Sequence, residues 1–155
     1  MESLAPLLIE QLDQGKEVTF LPGGVSMRPF LRGDRDRVVL FRPSRYRVND
    51  IVLFRRNDGR YSLHRLYRID GKKRILCGDA LIRRDEPVTS DHLLAAVKGF
   101  YRGDRYIDCR KNRGYRFLSN FWRILFPVRR IVVPIGRQLH LLFSFIPFRG
   151  KRKKE

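Results

Sequence analysis

Acidic residues are scarce in this chain. Asp and Glu total 16 against 34 Lys and Arg in 155 residues, giving a formal charge of +18 and a pI near 11. Such a surface is drawn to polyanions, either nucleic acid or anionic lipid headgroups, and charge alone does not choose between them. Cysteine is scarce too. Cys77 and Cys109 are the only two, which excludes a multi-bridge disulfide framework, and neither lies in a Cys-x-x-Cys metal spacing. They are expected as free or partly buried thiols, with a single bridge left open for an oxidising compartment. Long apolar runs are missing. No stretch reaches the ~20 residues of a membrane-spanning helix, and the longest uncharged run near the end, 138–148, contains Pro147. The start carries Glu2, Glu10 and Asp13 without a basic n-region, so no secretory signal peptide is read there. His92 and His140 have no metal-ligand spacing, and neither a metal nor an organic cofactor is expected.

What is present reads as a folded protein. Hydrophobic residues make up 43% and charged residues 32%, which argues against global disorder, and the length suits one domain with extra elements. Residues 3–14 predict a short helix, with Leu4, Leu8 and Leu12 at i+4 spacing and Gly15 as a stop. Short β-type runs follow at 18–21, 37–41, 50–54, 61–69, 74–77, 95–101 and 105–109. Turn signals separate them, including Asn49-Asp50, Asn57-Asp58-Gly59, Asp70-Gly71 and Arg102-Gly103-Asp104. This pattern predicts a compact, mainly β domain, a barrel or sandwich, over 17–112 behind an N-terminal helix in 1–16. The remainder, 113–155, predicts a basic, apolar helical extension. One helix is expected before Pro127 and another after Pro134, with a disordered basic tail at 149–155.

Four local patterns occur in order. Gly24-Val25-Ser26-Met27-Arg28-Pro29 follows a strand; Gly33-Asp34 comes next; Leu63-His64-Arg65-Leu66 lies inside a strand; Gly78-Asp79-Ala80 is followed by Asp85. Singly, each is an ordinary turn or strand sequence. Together and in this order they resemble the serine peptidases of the signal peptidase I family, in the branch where a histidine replaces the lysine base. The lysine-dependent LexA-type self-cleaving proteins share that fold. The resemblance spans residues 17–110, about three-fifths of the chain. It implies a signal-peptidase/LexA-like β fold and places Ser26 as nucleophile, His64 as general base and Asp85 as the carboxylate behind it. It also implies a supporting role for Asp79, and no cofactor.

Those roles agree with elementary chemistry. A serine hydroxyl is a weak nucleophile until a neighbour removes its proton, and histidine does this near neutrality. A carboxylate behind the histidine fixes its tautomer and stabilises the imidazolium. The Pro22-Gly23-Gly24 turn is placed to free backbone N–H groups, that of Ser26 first, for an oxyanion. The chain also departs from the family pattern. Gly24 stands where many members carry a serine, Ala80-Leu81 replace the usual asparagines, and the family's N-terminal membrane anchor is not recognised.

The reading is therefore a serine endopeptidase acting on a precursor or leader peptide. One alternative is a non-catalytic binder of nucleic acid or of an anionic surface. It is motivated by the charge and by aromatic–basic neighbours such as Phe41-Arg42, Arg45-Tyr46-Arg47, Tyr67-Arg68 and Tyr115-Arg116-Phe117. Another is an inactive scaffolding relative. For the extension, one reading puts 117–148 in a membrane interface with Trp122 and phenylalanines inserted, and the other packs it on the β domain or on a partner protein. Membrane association is the expected location, with the cytoplasm as the alternative.

Overall fold

The computed structural model describes residues 5–128. Helix α1 (Ala5–Asp13) leads into strands β1 (Val18–Phe20), β2 (Arg37–Phe41), β3 (Ile51–Arg55), β4 (Tyr61–Asp70) and β5 (Lys73–Cys77). A 3₁₀ turn at Ser90–His92 precedes β6 (Leu93–Arg102) and β7 (Arg105–Asp108), and helix α2 (Arg113–Ile124) follows. Every strand pairing is antiparallel, and the strands form one sheet in the order β1-β2-β6-β3-β4-β5, with β7 also paired to β6. The protein is thus mainly β, with a helix at each end of the described chain.

Side chains on a strand alternate between faces, and both faces of this sheet are covered. On β3, Ile51 and Leu53 enter one core with Val38, Leu40, Leu63, Ala95 and Val97. Val52 and Phe54 enter a second with Leu66, Leu76, Val88 and Leu93. Two-sided burial explains why these strands read as near-continuous apolar runs. A register shift opposite Leu53/Phe54 pairs Phe54 with Leu93 after Leu53 with Ala95. The extra residue turns Leu93 to the second face, while Ala95 and Val97 stay on the first.

Helix α1 caps the first core with Leu12, also buries Leu8, and leaves Leu7 outside. The expected strands are all present, each shifted by at most two residues at an end. Residues 1–4 of the expected first helix, the helix expected after Pro134, His140 and the 149–155 tail lie outside the described residues. The first part of the extension packs against the β domain. Ser119 of α2 is fully buried and its hydroxyl accepts from Asn49 Nδ2 at 2.8 Å, while Tyr115 packs against the first core.

Candidate active site

Ser26 sits in the loop between β1 and β2, after the Pro22-Gly23-Gly24 turn. Two backbone approaches hold this loop. At Gly33, a Cβ would lie 2.5 Å from the carbonyl oxygens of Pro22 and Gly24, so only glycine lets the chain pass under that turn. At Gly78, a Cβ would lie 2.7 Å from the Ser26 carbonyl oxygen, and the neighbouring Ala80 N–H donates to the same oxygen at 2.8 Å. The Gly-Asp motifs thus act as backbone supports for the serine.

His64 lies on β4, and its alternation decides the site. Its side chain points to the face of the second core, where its ring meets Phe54 with centroids 5.9 Å apart. Only 5% of His64 is exposed. Its Nδ1 lies 2.6 Å from Asp85 Oδ2 and its Nε2 3.1 Å from Ser26 Oγ. A carboxylate oxygen only accepts, so the proton belongs on Nδ1, which donates to Asp85 and leaves Nε2 to accept the Ser26 hydroxyl. Asp85 is held in turn. Its backbone N–H donates to the Leu76 carbonyl at 2.9 Å, and Arg56 Nη1 donates to its other carboxylate oxygen at 3.3 Å. Arg56 opens the β3–β4 hairpin turn, whose Asn57 also donates to Glu86. The hairpin tip therefore grips the loop that carries Asp85.

Arg65, one residue on, points to the opposite face. It is 2% exposed and forms two parallel hydrogen bonds to Asp79, Nε to Oδ1 at 2.8 Å and Nη2 to Oδ2 at 2.6 Å. Its guanidinium lies 5.1 Å from the Phe30 ring centroid and 6.0 Å from that of Tyr115, and Nη1 donates to the Asn49 carbonyl. Burial alone would push the guanidinium towards neutrality, but the Asp79 carboxylate, with Tyr115, holds its pKa above the ordinary arginine value. Burial likewise pushes the Tyr115 hydroxyl well up, keeping it neutral. Trp122 Nε1 completes the group by donating to the Asp79 carbonyl at 3.0 Å.

A cleft of about 180 Å³ opens beside Ser26 and His64. Pro22, Gly23 and Gly24 form one wall, Tyr61 and Ser62 another, and Met27, Leu31 and Leu63 its apolar floor. The first four residues of β4 pair with β3 on one side, and no described strand pairs with their other edge. That edge presents backbone donors and acceptors suited to an extended peptide. Gly24 adopts φ +89°, a conformation a serine there would reach only with strain. Among the described residues, the Ser26 N–H donates to no backbone carbonyl, which leaves it free for an oxyanion.

Of the residues singled out in the sequence, Ser26, His64 and Asp85 are brought into one hydrogen-bonded line, and Gly24 lines the cleft beside them. Asp79 lies outside that line. Its carboxylate is committed to Arg65, and its part is to anchor the loop whose next residue supports Ser26. Trp122, named in the interface reading of the extension, directs its indole N–H inward to the Asp79 carbonyl. The sequence reading gave no role to Arg65 or Arg56. The His-Arg pair was the available signal for Arg65, while nothing local marked Arg56 as a partner for a residue 29 positions away. The aromatic–basic neighbours are engaged within the fold: the Tyr46 hydroxyl donates to the Leu93 carbonyl, Arg84 lies over Tyr67, and Arg110 over Phe41. Neither Cys77 nor Cys109 is in a disulfide, and burial pushes the Cys109 thiol up to about 12, so it is a poor nucleophile. Among the described residues no cluster of side chains could hold a metal ion. No family model, curated protein or solved structure matches the chain.

Proposed function

We propose that this chain is a serine endopeptidase of the signal peptidase I type, with a signal-peptidase/LexA-like β fold, that cleaves a precursor or leader peptide through an acyl-enzyme on Ser26. The observation that carries this reading is the line Ser26 Oγ, His64 Nε2, His64 Nδ1, Asp85 Oδ2, with contacts of 3.1 and 2.6 Å at the edge of a cleft. It is supported by the ordered motifs, by the glycine contacts that fix the serine loop, and by the open edge of β4.

The chemistry follows from the geometry. A peptide lies along the β4 edge with its scissile carbonyl over Ser26. Ser26 Oγ attacks the carbonyl carbon as His64 Nε2 takes the hydroxyl proton, and Asp85 steadies the imidazolium through Nδ1. The developing oxyanion is met by the Ser26 N–H. Collapse breaks the C–N bond, His64 returns the proton to the leaving amine, and an ester on Ser26 remains. Water, deprotonated by His64, then releases the acid and restores the hydroxyl. By resemblance, small residues precede the scissile bond, and the apolar floor of Met27, Leu31 and Leu63 suits a small apolar side chain.

The test is mass spectrometry of a precursor-peptide library incubated with the wild type, Ser26→Ala and His64→Ala. Cleavage by the wild type, reduced at least ~10³-fold in both variants, is expected. Cleavage that survives in Ser26→Ala, or a folded wild type that cuts nothing with membranes supplied, rejects the proposal.

A further inference from the structure

Helix α2 is apolar on two opposite faces. One stripe, Tyr115, Ser119 and Trp122, with Phe126 just beyond the helix, faces the β domain at i, i+4, i+7, i+11 spacing. The same spacing repeats on the far side with Phe117, Phe121, Ile124 and Val128, which are 75%, 50%, 67% and 46% exposed. With about 100° per residue, the two stripes lie about half a turn apart. The β domain covers the first, and a contiguous stripe of this kind marks a surface that binds something.

The charge around the stripe specifies what. Arg113 and Arg116 lie on the helix, which has no acidic residue, while its third arginine, Arg123, stacks over Tyr67 of the β domain. Arg105 lines an apolar groove of about 430 Å³ that Leu118 borders on one side of α2, and Arg83 and Arg84 line a second groove with Phe126 and Pro127. Among the described residues, none of Arg83, Arg105, Arg113 and Arg116 is within ion-pair distance of a carboxylate. A second copy of this +18 chain would bring like charge to this rim. Residues 129–155 add eight Lys and Arg against a single acid, three of them in 129–148 and five in 149–154. The apolar stripe and its basic rim are complementary to an occupant that is apolar and anionic at once.

We propose that the outer face of α2 docks on an anionic lipid bilayer, with Phe117, Phe121 and Ile124 in the acyl boundary and the flanking arginines at the phosphates. Trp122 stays inside the protein. The docking does not depend on the peptidase reading, so it is tested on the full chain carrying Ser26→Ala, and its failure leaves that reading untouched.

Co-sedimentation is measured with vesicles of phosphatidylcholine alone and of phosphatidylcholine with 30% phosphatidylglycerol, for this protein and for a version with Phe117→Glu and Ile124→Glu added. The parent is expected to bind the anionic vesicles at least tenfold better than the neutral ones, more weakly as salt rises. The added glutamates are expected to lower binding at least tenfold with the far-ultraviolet spectrum and melting temperature unchanged. Equal binding by both proteins would assign any affinity to the basic residues after 128 and overturn the proposal. So would no binding by the parent, or a parent that sediments as a dimer that the glutamates dissociate. If the glutamates unfold the protein, Phe117→Trp decides instead. Its emission should shift to the blue on anionic vesicles and be quenched by brominated acyl chains, and an unshifted, unquenched signal overturns the docking.

Discussion

His64 and Arg65 are neighbours in sequence with opposite tasks, because successive side chains on a strand point to opposite faces. His64 reaches Ser26 and Asp85, while Arg65 anchors the interior. Their substitutions should separate. Asp85→Asn is expected to lower kcat/KM by about 10²–10⁴ with little change in stability, since the amide cannot hold the imidazole tautomer as the carboxylate does. Steady-state kinetics beside urea unfolding would check both halves. Asp79→Asn leaves Arg65 buried without its charge partner, and should cost about 3–5 kcal/mol in unfolding free energy. Combining Asp79→Leu with Arg65→Met should be less harmful than Asp79→Asn alone, as a double-mutant cycle in urea would reveal. If Asp79→Asn instead removed activity at full stability, Asp79 would belong with the reacting groups after all.

Among the elements, the strands were legible in the sequence because β-branched and aromatic runs alternate with Asn, Asp and Gly at the turns, as at Asn57-Asp58-Gly59 and Asp70-Gly71. The bulge that turns Leu93 was not legible, since an extra residue in one strand is defined only against its partner. Helix α2 shows the same limit. Its existence followed from apolar spacing, but two apolar stripes look alike until one is packed. Its start carries a local signal: the Asn112 side chain accepts the Tyr115 N–H at 2.8 Å. Asn112→Ala should therefore cost about 1 kcal/mol, read as a lower urea midpoint at constant m-value. Gly33→Ala should act differently. It forces the Pro22–Gly24 turn to move, and should depress kcat/KM more than it lowers the melting temperature.

At the scale of the whole molecule, the buried carboxylate of Asp36 ties distant segments together. It accepts from Arg102 Nη2 at 2.6 Å and from the Arg32 N–H, while Arg102 also donates to the Phe30 carbonyl, four residues beyond Ser26. Burial alone would raise the Asp36 pKa, but the hydrogen bonds from Arg102 and Arg32, with the charge of Arg102 and a further bond from Arg35, outweigh it and hold the carboxyl below its ordinary value of 3.8. A carboxyl depressed on folding stabilises above its unfolded pKa, and the gain is lost as pH falls through the folded value. Asp36→Asn should therefore lower the urea midpoint more at pH 7 than at pH 3. An equal deficit at both would show that the bond network, not the charge, is what matters.

The sequence by itself determined the strands, the turns and the order of the four motifs, because alternation, turn chemistry and residue type are local properties. Only the tertiary structure decided which groups meet. Asp85 reaches His64 across 21 positions through the β4–β5 hairpin and the loop that follows, Asp79 turns away to Arg65, and Trp122 turns inward while Phe117 and Ile124 turn out. The physical reason is that a side chain's partner depends on which face its backbone presents and on what lies opposite, and the chain fixes both only by folding.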